Sequence, residues 1–314
     1  MGKSILHITN GDITTEYLKR LNFTGDFITW REMLCEGKTT TDVGSEKFWK
    51  TRFDYLKTSY NVSKEKFIDF TLKEYRTLCS KKSNDEIVLW FDYDLFCQIN
   101  MIAVISWLKR YRKGRQISLI NSGKIIESQK LKGISELSEN QIQEHFKNRI
   151  ALSQDDIEYA DYIWQLYCSE SPLRLETVHK FNPMSPFKHL HNALEAHLKR
   201  FPSIENGLDK VENIIIQTAN KYDLNSKDAL VRKLLKEQGI YGFGDIQYFN
   251  YLERMQKAFT SFNPVKLSRK GKKALENQSN FYGDLRSEKI YLGGAKKYSF
   301  LYNNSSNKIL QITT

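Results

Sequence analysis

The sequence predicts an α/β protein: an N-terminal Rossmann-like domain with a parallel sheet, then a mainly α region, then a winged-helix-like C-terminal domain. Strand and helix patterns alternate over the first 125 or so residues, only helical patterns follow from about residue 138, and the last part mixes helices with short strand-like runs. Such alternation implies right-handed crossovers and a sheet covered on both faces. Because 314 residues exceed one ordinary core, we expect three regions, residues 1–130, 131–225 and 226–314.

Four short apolar runs in the N-terminal region are predicted strands. The third run, residues 86–91, is almost wholly apolar, which is typical of the centre of a parallel sheet. The other three are residues 5–8, 26–30 and 116–120. Apolar residues at three-to-four spacing predict the intervening helices. The first begins near Thr14, and the others cover residues 46–60, 64–79 and 95–111.

Helical periodicity alone characterises the next region, and the C-terminal region adds strands. The predicted helices are residues 138–149, 153–169, 173–181, 187–201, 208–222, 227–238 and 245–257, with a short one ending near 276. Two strand-like runs follow, residues 289–292 and 297–302. Three helices followed by a β-hairpin is the order of a winged helix-turn-helix, and the Leu-Ser-x-x-Gly stretch at residues 267–271 is typical of a joint in such domains.

Composition narrows the class of protein. Hydrophobic residues make up 40% and aromatic residues 13% of the chain, so it can bury real cores and is not disordered. No run approaches the roughly 18 apolar residues of a membrane span, and no signal peptide precedes the first strand. The four cysteines are far apart and lack CxxC spacing, which favours reduced thiols in a bacterial-type cytoplasm over a metal site or a disulfide framework.

The net charge of +11 is unevenly distributed. Residues 1–125 hold 21 Lys and Arg against 15 Asp and Glu, whereas residues 126–225 hold 11 against 15. Residues 226–300 hold 15 against 7, a net charge of +8 in the shortest block. A basic C-terminal block of this kind predicts a surface for nucleic acid, and a solvated or protein-docking face is the alternative. The basic residues singled out are Lys266, Arg269, Lys270, Lys272, Lys273, Lys296 and Lys297.

Polar residues follow each predicted strand of the N-terminal sheet. The carboxyl ends of parallel strands meet at one edge, where ligands bind near the topological switch point. Carboxylates converging there could bind Mg²⁺ or raise one another's pKa for general acid–base work. The candidate catalytic residues are Asp12, Glu32, Asp92 and Asp94. For each one taken singly, a loop or helix cap is the favoured interpretation, whereas the convergence of the whole set favours a site.

Other residues at this edge are candidates for binding a small phosphorylated ligand. Asn10-Gly11-Asp12 opens a helix, and backbone N–H groups there could hold an anion. Neither GxGxxG nor GxxxxGK[ST] is present, so dinucleotide and P-loop assignments are excluded. A hydrogen-bonded core histidine and core tryptophans are the alternatives for the ring-bearing members. The full candidate set is His7, Asn10, Gly11, Trp30, Arg31, Gln98, Asn121 and Ser122.

Several motifs resemble one bacterial family. The opening His7-Ile8-Thr9-Asn10-Gly11-Asp12, then Trp30-Arg31-Glu32, then residues 90–98 (WFDYDLFCQ) are similar to the N-terminal module of the domain of unknown function 1835 family. Residues 194–202, 206–208, 267–271 and 292–294 are similar to the C-terminal part that accompanies it. The resemblance implies an architecture and a bacterial origin but no activity. The family often has Ser or Ala after Gly-Asp, whereas this chain has Ile13, so no nucleophilic serine is available at that turn.

Two hypotheses of function follow. The first is a ligand-sensing or regulatory protein with a nucleic-acid-associated winged helix, which the segregation of charge favours. The second is a metal-dependent enzyme acting on a nucleotide or phosphoester at the carboxyl edge of the sheet. The enzyme requires two or three carboxylates within metal-bridging distance, whereas the sensor requires only a pocket.

Overall fold

The computed structural model describes residues 4–121, 131–182 and 184–312. Its N-terminal part alternates strands and helices as the sequence predicts, and a π-helical turn, Ile68–Leu72, lies directly between two of the helices. The elements in chain order are β1 (Ile5–Asn10), α1 (Asp12–Arg20), β2 (Asp26–Trp30), β3 (Gly37–Lys38), α2 (Glu46–Tyr60), α3 (Lys64–Phe67), α4 (Lys73–Ser80), β4 (Glu86–Phe91), α5 (Leu95–Tyr111) and β5 (Gln116–Asn121).

The remaining elements are mostly helices, with small strand pairs near the end. They are α6 (Glu139–Lys147), β6 (Ile150–Ala151), α7 (Gln154–Tyr167), α8 (Leu190–Leu198), α9 (Lys210–Lys221), α10 (Lys227–Glu237), α11 (Asp245–Arg254), β7 (Phe259–Phe262), β8 (Val265–Leu267), α12 (Arg269–Leu275), α13 (Tyr282–Leu285), β9 (Tyr291–Gly293), β10 (Ala295–Lys296), β11 (Phe300–Asn303) and β12 (Lys308–Gln311). Residues 173–181, predicted as a helix, form two 3₁₀ turns, Leu173–Glu176 and Val178–Phe181.

The N-terminal sheet has five strands in the order β2-β1-β4-β5-β6. The first four are parallel to one another, which confirms the predicted parallel sheet, and β6 adds an antiparallel edge that the sequence pattern did not reveal. β1 has β2 on one side and β4 on the other, so the topological switch point lies between β1 and β4.

Helices cover both faces of this sheet. One face belongs to a large apolar cluster that includes Leu6, Ile87 and most of α5 and continues to Ile309 near the end of the described chain. The other face packs Val88 and Trp90 in a smaller cluster with residues of α1 and α6. α5 is apolar around most of its circumference because it lies between the sheet and helices α7 and α8. The predicted boundaries at residues 130 and 225 stay predictions.

The C-terminal strands pair differently from the predicted hairpin. β9 pairs with β10 and, in parallel, with β3, whereas β11 pairs with β12. A further hairpin, β7 with β8, precedes α12 instead of following it. The chain reverses directly after β9 because Gly293 adopts φ 67°, and a Cβ on Gly294 would lie 1.9 Å from the Cys168 carbonyl oxygen. The predicted pairing of residues 289–292 with 297–302 is therefore wrong.

Candidate functional site

The carboxyl ends of β1, β2, β4 and β5 lie at one edge of the sheet, since these strands are parallel. Asn10 ends β1, Asp92 follows β4, and Asp94 caps the N-terminus of α5. The residues that meet at the switch point therefore come from β1 and from the β4–α5 connection. This is the crevice in which open parallel sheets usually bind ligands.

Asp92, Asp94 and Cys97 form the most concentrated group of chemically active side chains at this edge. One ligand atom of each, two carboxylate oxygens and the Cys97 Sγ, lies within 4.8 Å of the other two. The local sequence explains part of this arrangement, because Asp94 Oδ1 accepts a hydrogen bond from the Cys97 backbone N–H at 2.8 Å. An N-cap side chain bonds the amide three residues later, and here that residue is a cysteine.

Burial and neighbouring like charge both disfavour ionisation of Asp94 and Cys97. Burial, with a smaller contribution from the Asp92 charge, raises the pKa of Asp94 to about 7. Burial followed by the Asp94 and Asp92 charges also raises the pKa of the Cys97 thiol well above its usual value. A bound metal ion would reverse both effects, because it stabilises the deprotonated forms.

Gln98 supplies a fourth donor beside the three. Its side chain is 4% exposed, and its Nε2 donates to the Asp92 carbonyl oxygen at 2.7 Å. This bond fixes the orientation of the amide, since the opposite flip would place two oxygens together. Gln98 Oε1 is buried and has no hydrogen-bond partner among the residues that the structure describes. An unpartnered buried carbonyl oxygen beside two carboxylates is suited to a cation.

Two asparagines position the thiol. Asn10 Nδ2 donates to Cys97 Sγ at 3.1 Å, and Asn100 Nδ2 donates to Asn10 Oδ1 at 2.7 Å. Asn100 is fully buried and its Oδ1 accepts from the Leu34 N–H at 3.1 Å. The end of β1, the first turns of α5 and the chain after β2 are thus joined by one polar network.

The N-terminus of α5 is occupied by protein groups. The Leu95 N–H donates to the Ile240 carbonyl at 2.7 Å, and the Phe96 N–H donates to the Tyr241 carbonyl at 3.3 Å. Gly242 packs against the Asp94 carboxylate so closely that a Cβ there would lie 2.2 Å from Asp94 Cγ. The first N–H groups of this helix are therefore not available to bind an anion. The loop between α10 and α11 covers the Asp94 carboxylate.

The N-terminus of α1 is more open. Gly11 caps it with φ 98°, no side chain caps it, and a Cβ on Gly11 would meet nothing within 4 Å among the described residues. The Asp12 carboxylate accepts three hydrogen bonds from the Arg31 guanidinium, the shortest at 2.7 Å. This pairing neutralises the one acidic side chain in the first turn of α1. Because Asn10 contacts Cys97, this helix start lies near the group formed by Asp92, Asp94 and Cys97.

The four carboxylates predicted as one catalytic set do not all meet. Asp12 pairs with Arg31, and Glu32 pairs with Arg52 at 3.0 Å while both of those residues are almost fully buried. Neither of the two belongs to the described group whose ligand atoms lie within 4.8 Å of one another. Cys97 stands with Asp92 and Asp94 in their place.

Two predicted ligand-binding residues, His7 and Trp30, lie in the core instead. His7 is fully buried: its Nδ1 accepts from the Trp90 indole N–H at 3.0 Å, and its Nε2 donates to the Thr24 carbonyl at 3.2 Å. Burial lowers the pKa of His7, so the ring is neutral in the folded protein. Trp30 is 4% exposed and packs near the Trp49 ring. The backbone of Asn121 pairs with Phe91, whereas Ser122 lies outside the described residues.

The predicted basic residues divide into three groups. Lys266, Arg269, Lys272 and Lys273 are exposed on and before α12. Lys270 pairs with Asp284, and Lys296 pairs with Glu288 at 2.9 Å. Lys297 is 1% exposed and bonds Asp209 and Glu212 at 2.6 and 3.0 Å, so it is unable to reach a phosphate backbone. Its inclusion in the nucleic-acid-binding set is corrected accordingly.

Sequence reasoning did not identify a second polar centre around Glu36. Arg200 Nη2 donates to Glu36 Oε1 at 3.2 Å, and the Tyr55 hydroxyl donates to Glu36 Oε2 at 3.2 Å.

Asp209 and Glu212 could have been recognised as a capping box from their spacing, and the structure shows that motif at the start of α9. No local pattern pairs either of them with Lys297, since that contact spans more than 80 residues.

Comparisons with known proteins assign no family. No family model matches the chain, and no curated protein matches it. Among solved structures, the chain is similar to the crystal structure of the Plasmodium falciparum topoisomerase II DNA-binding, cleavage and re-ligation domain, with 11% identity and a TM-score of 0.43. The match covers 81% of this chain but 42% of that one, so the chain spans less than half the length of that structure. None of the described helices combines the length and apolarity needed to cross a membrane.

Proposed function

We propose that this protein is a metal-dependent enzyme that holds one divalent transition-metal ion through Asp92, Asp94 and Cys97 and acts on a small phosphorylated substrate. The single observation that carries the proposal is the approach of these three ligand atoms to within 4.8 Å of one another. The unpartnered, buried Gln98 Oε1 beside them supports it. Membership in the uncharacterised family that the sequence resembles is compatible with this function and stays a proposal.

The ligand set favours a different metal from the Mg²⁺ expected of four carboxylates. Mg²⁺ prefers oxygen ligands in an octahedral arrangement, whereas a thiolate with two carboxylates suits Zn²⁺ or a neighbouring transition metal. Metal binding would displace the thiol proton and ionise Asp94. Three protein ligands also leave a coordination position for a substrate oxygen or a water.

The substrate class follows from the neighbouring helix start. The uncapped N-terminus of α1 at Gly11 follows Asn10, which contacts Cys97, and Arg31 bonds the first residue of this helix. Backbone N–H groups of a helix start bind phosphate well, and the helix dipole adds to that preference. A phosphate group held there would place an adjacent ester oxygen toward the metal.

The test is a metal-binding measurement on purified, chelator-treated protein. We expect Zn²⁺ and Mn²⁺ titrations to give one site per chain, with proton release that reports ionisation of Cys97 and Asp94. Cys97→Ser and Asp92→Asn should each lose at least tenfold in affinity, whereas Cys79→Ser, the matched cysteine control, should bind like the parent. Hydrolysis of a model phosphomonoester should then depend on the metal and on Asp92. Absence of stoichiometric binding by the parent would overturn the proposal.

A second function, binding of nucleic acid by the C-terminal region, is favoured by one separate observation. Arg269, Lys272 and Lys273 are exposed around a shallow cleft of about 350 Å³, with Glu276 the one acidic side chain in its lining. The proposal requires only that α12 and its neighbouring strands present these cations together, as a winged helix would. Phosphate contacts from exposed cations give binding that falls steeply with salt.

Replacing those three residues together with Ala tests the second function. The log–log slope of duplex affinity against salt should flatten by roughly two to three, because about 0.9 of a counterion is released per phosphate contact. The matched control replaces Lys47, Lys50 and Lys57 of α2, which removes the same charge from another exposed surface. Equal losses in the two triple variants would show that net charge alone attracts the duplex.

A further inference from the structure

A second cavity, separate from the metal ligands, lies where distant parts of the chain meet. It has a volume of about 260 Å³. Its walls come from β3 and α2, from Arg200 just after α8, from α11, and from β9 with Lys297, which directly follows β10. This volume is at the small end for ligand pockets and would fit a small metabolite.

The walls of this cavity contain several nitrogen donors without acceptors. Gln247 is 2% exposed, and its Oε1 accepts from the Gly244 N–H at 2.9 Å, which fixes the amide and leaves Nε2 unpartnered among the described residues. Arg200 is also 2% exposed, and its Nη atoms bond the Cys35 carbonyl and Glu36 while Nε has no partner in the same part of the chain. Buried donors normally have acceptors, so a missing acceptor indicates a ligand.

Arg254 contributes the third such donor and a charge. Within the residues that the structure describes, its buried Nε has no partner, and no hydrogen bond or ion pair of its guanidinium is found. The guanidinium lies 4.6 Å from the Tyr251 ring centroid, a cation–π contact that leaves the N–H groups available. The nearby acids are engaged elsewhere: Glu36 with Arg200 and Tyr55, and Glu212 with Lys297.

The geometry points to a binding site for the oxyanion of a small metabolite, a phosphate or carboxylate group, held by Arg254, Arg200 and Gln247, with Lys289 at the mouth. Glu36 in the wall does not oppose anion binding, because Arg200 neutralises its carboxylate and two tyrosine hydroxyls donate hydrogen bonds to it. Tyr55, Tyr251 and Tyr291 supply aromatic surface for the remainder of the ligand. Lys289 is exposed, so it adds charge at the entrance without taking part in the core.

Such a ligand would connect regions that are far apart in sequence. The donors belong to α11 and to the turn after α8, whereas β3 and α2 supply the facing wall. A bound anion would bridge these elements and stabilise their packing by mass action. The inference does not rest on the proposed metal, since none of the three metal ligands lines this cavity.

The experiment is calorimetric titration of the full, chelator-treated chain at constant ionic strength with inorganic phosphate and, separately, with succinate. We expect saturable binding of at least one, accompanied by a higher melting temperature. Arg254→Gln should weaken that binding roughly ten- to a hundredfold, as for loss of charge-assisted hydrogen bonds in a buried site. Arg254→Lys, which keeps the charge, should recover part of the loss, and Lys289→Gln should weaken binding by roughly two- to fivefold.

The control is Lys272→Gln, which removes one exposed cation from α12 and should leave binding unchanged. The preferred probe identifies the oxyanion as phosphate or carboxylate. If neither probe binds, or if Lys272→Gln weakens binding as much as Lys289→Gln does, the inference is overturned. Because Lys289 is exposed, its variant gives a result even where the Arg254 variants fold poorly.

Discussion

The group at the sheet edge and the polar centre around Glu36 treat buried charge in opposite ways. Asp92, Asp94 and Cys97 bring together groups that all become negative on ionisation, and no cationic side chain is among them. Around Glu36, carboxylates and cations alternate in contact, as in the Arg200–Glu36 pair at 3.2 Å. The first centre gathers groups of one charge type, and the second has nitrogen donors left over among the described residues.

This difference shows which kind of ligand each centre would bind. Like charges held together in a low-dielectric site cost free energy until a cation arrives, so the first centre favours a metal. Paired charges need no ligand for stability, but donors without acceptors still cost desolvation, so the second favours an anion. Buried charge alone therefore does not identify a site, and the balance of donors and acceptors does.

The largest expected effect on stability comes from breaking the buried ion pairs that Lys297 forms with Asp209 and Glu212. Lys297→Met should destabilise the protein by about 3–5 kcal/mol, because it leaves Asp209 and Glu212 buried without the ammonium group that bonds both. The free energy of unfolding in urea measures this. Lys296→Met is the neighbouring control: its pair with Glu288 is exposed, and its loss should cost no more than about 1 kcal/mol. Similar costs for the two variants would contradict the distinction between the buried and exposed pairs.

The next effect concerns the like-charge group and is a dependence on pH. The pKa of Asp94 is about 7 in the folded protein and 3.8 as a reference value. The folded state thus holds a proton that the unfolded state releases. The resulting stability is fully present below about pH 3.8 and is lost as the pH rises toward 7, by roughly 2–4 kcal/mol.

Asp94→Asn should remove this dependence, since the amide keeps an oxygen for the Cys97 N–H but does not ionise. Urea unfolding of the metal-free parent and variant between pH 4.5 and 8 measures the difference in stability. As the pH rises, the free energy of unfolding of the parent should fall relative to that of the variant. A saturating metal should restore the stability of the parent and leave that of the variant unchanged. Parallel profiles for the two proteins would show that Asp94 ionises normally.

Much of the fold could be predicted from the sequence because its signals are local. β1, β2, β4 and β5 are apolar runs, and their parallel orientation followed from the helices between them, whereas their order in the sheet did not. The pairing of β9 with β3 could not be predicted, since short strands with mixed residues carry no information on a partner some 250 residues away. The turn at Gly293 was visible as a glycine pair, but its consequence for strand pairing was not.

The candidate site was predictable only in part, for the same reason. Asp92 and Asp94 follow a buried strand, and the sequence alone predicts their position at the carboxyl edge of the sheet. The approach of Cys97 to Asp94 has a local cause, the N-cap bond across three residues, and could have been inferred from the D-x-x-C spacing. The exclusion of Asp12 and Glu32 depends on Arg31 and Arg52, and the second contact spans 20 residues and the start of another helix.

The smallest expected effect tests that exclusion directly. Asp12→Asn removes an exposed pair with Arg31, in which the two side chains are 53% and 24% exposed, and a negative charge from the first turn of α1. Both contributions are modest at the surface, so the free energy of unfolding should fall by about 0.5–1 kcal/mol, and by less at 1 M salt. The affinity for Zn²⁺ should stay within twofold of the parent, whereas Asp92→Asn should lose at least tenfold. A large loss of metal affinity in Asp12→Asn would restore the four-carboxylate site, because only a carboxylate near the ion could produce it.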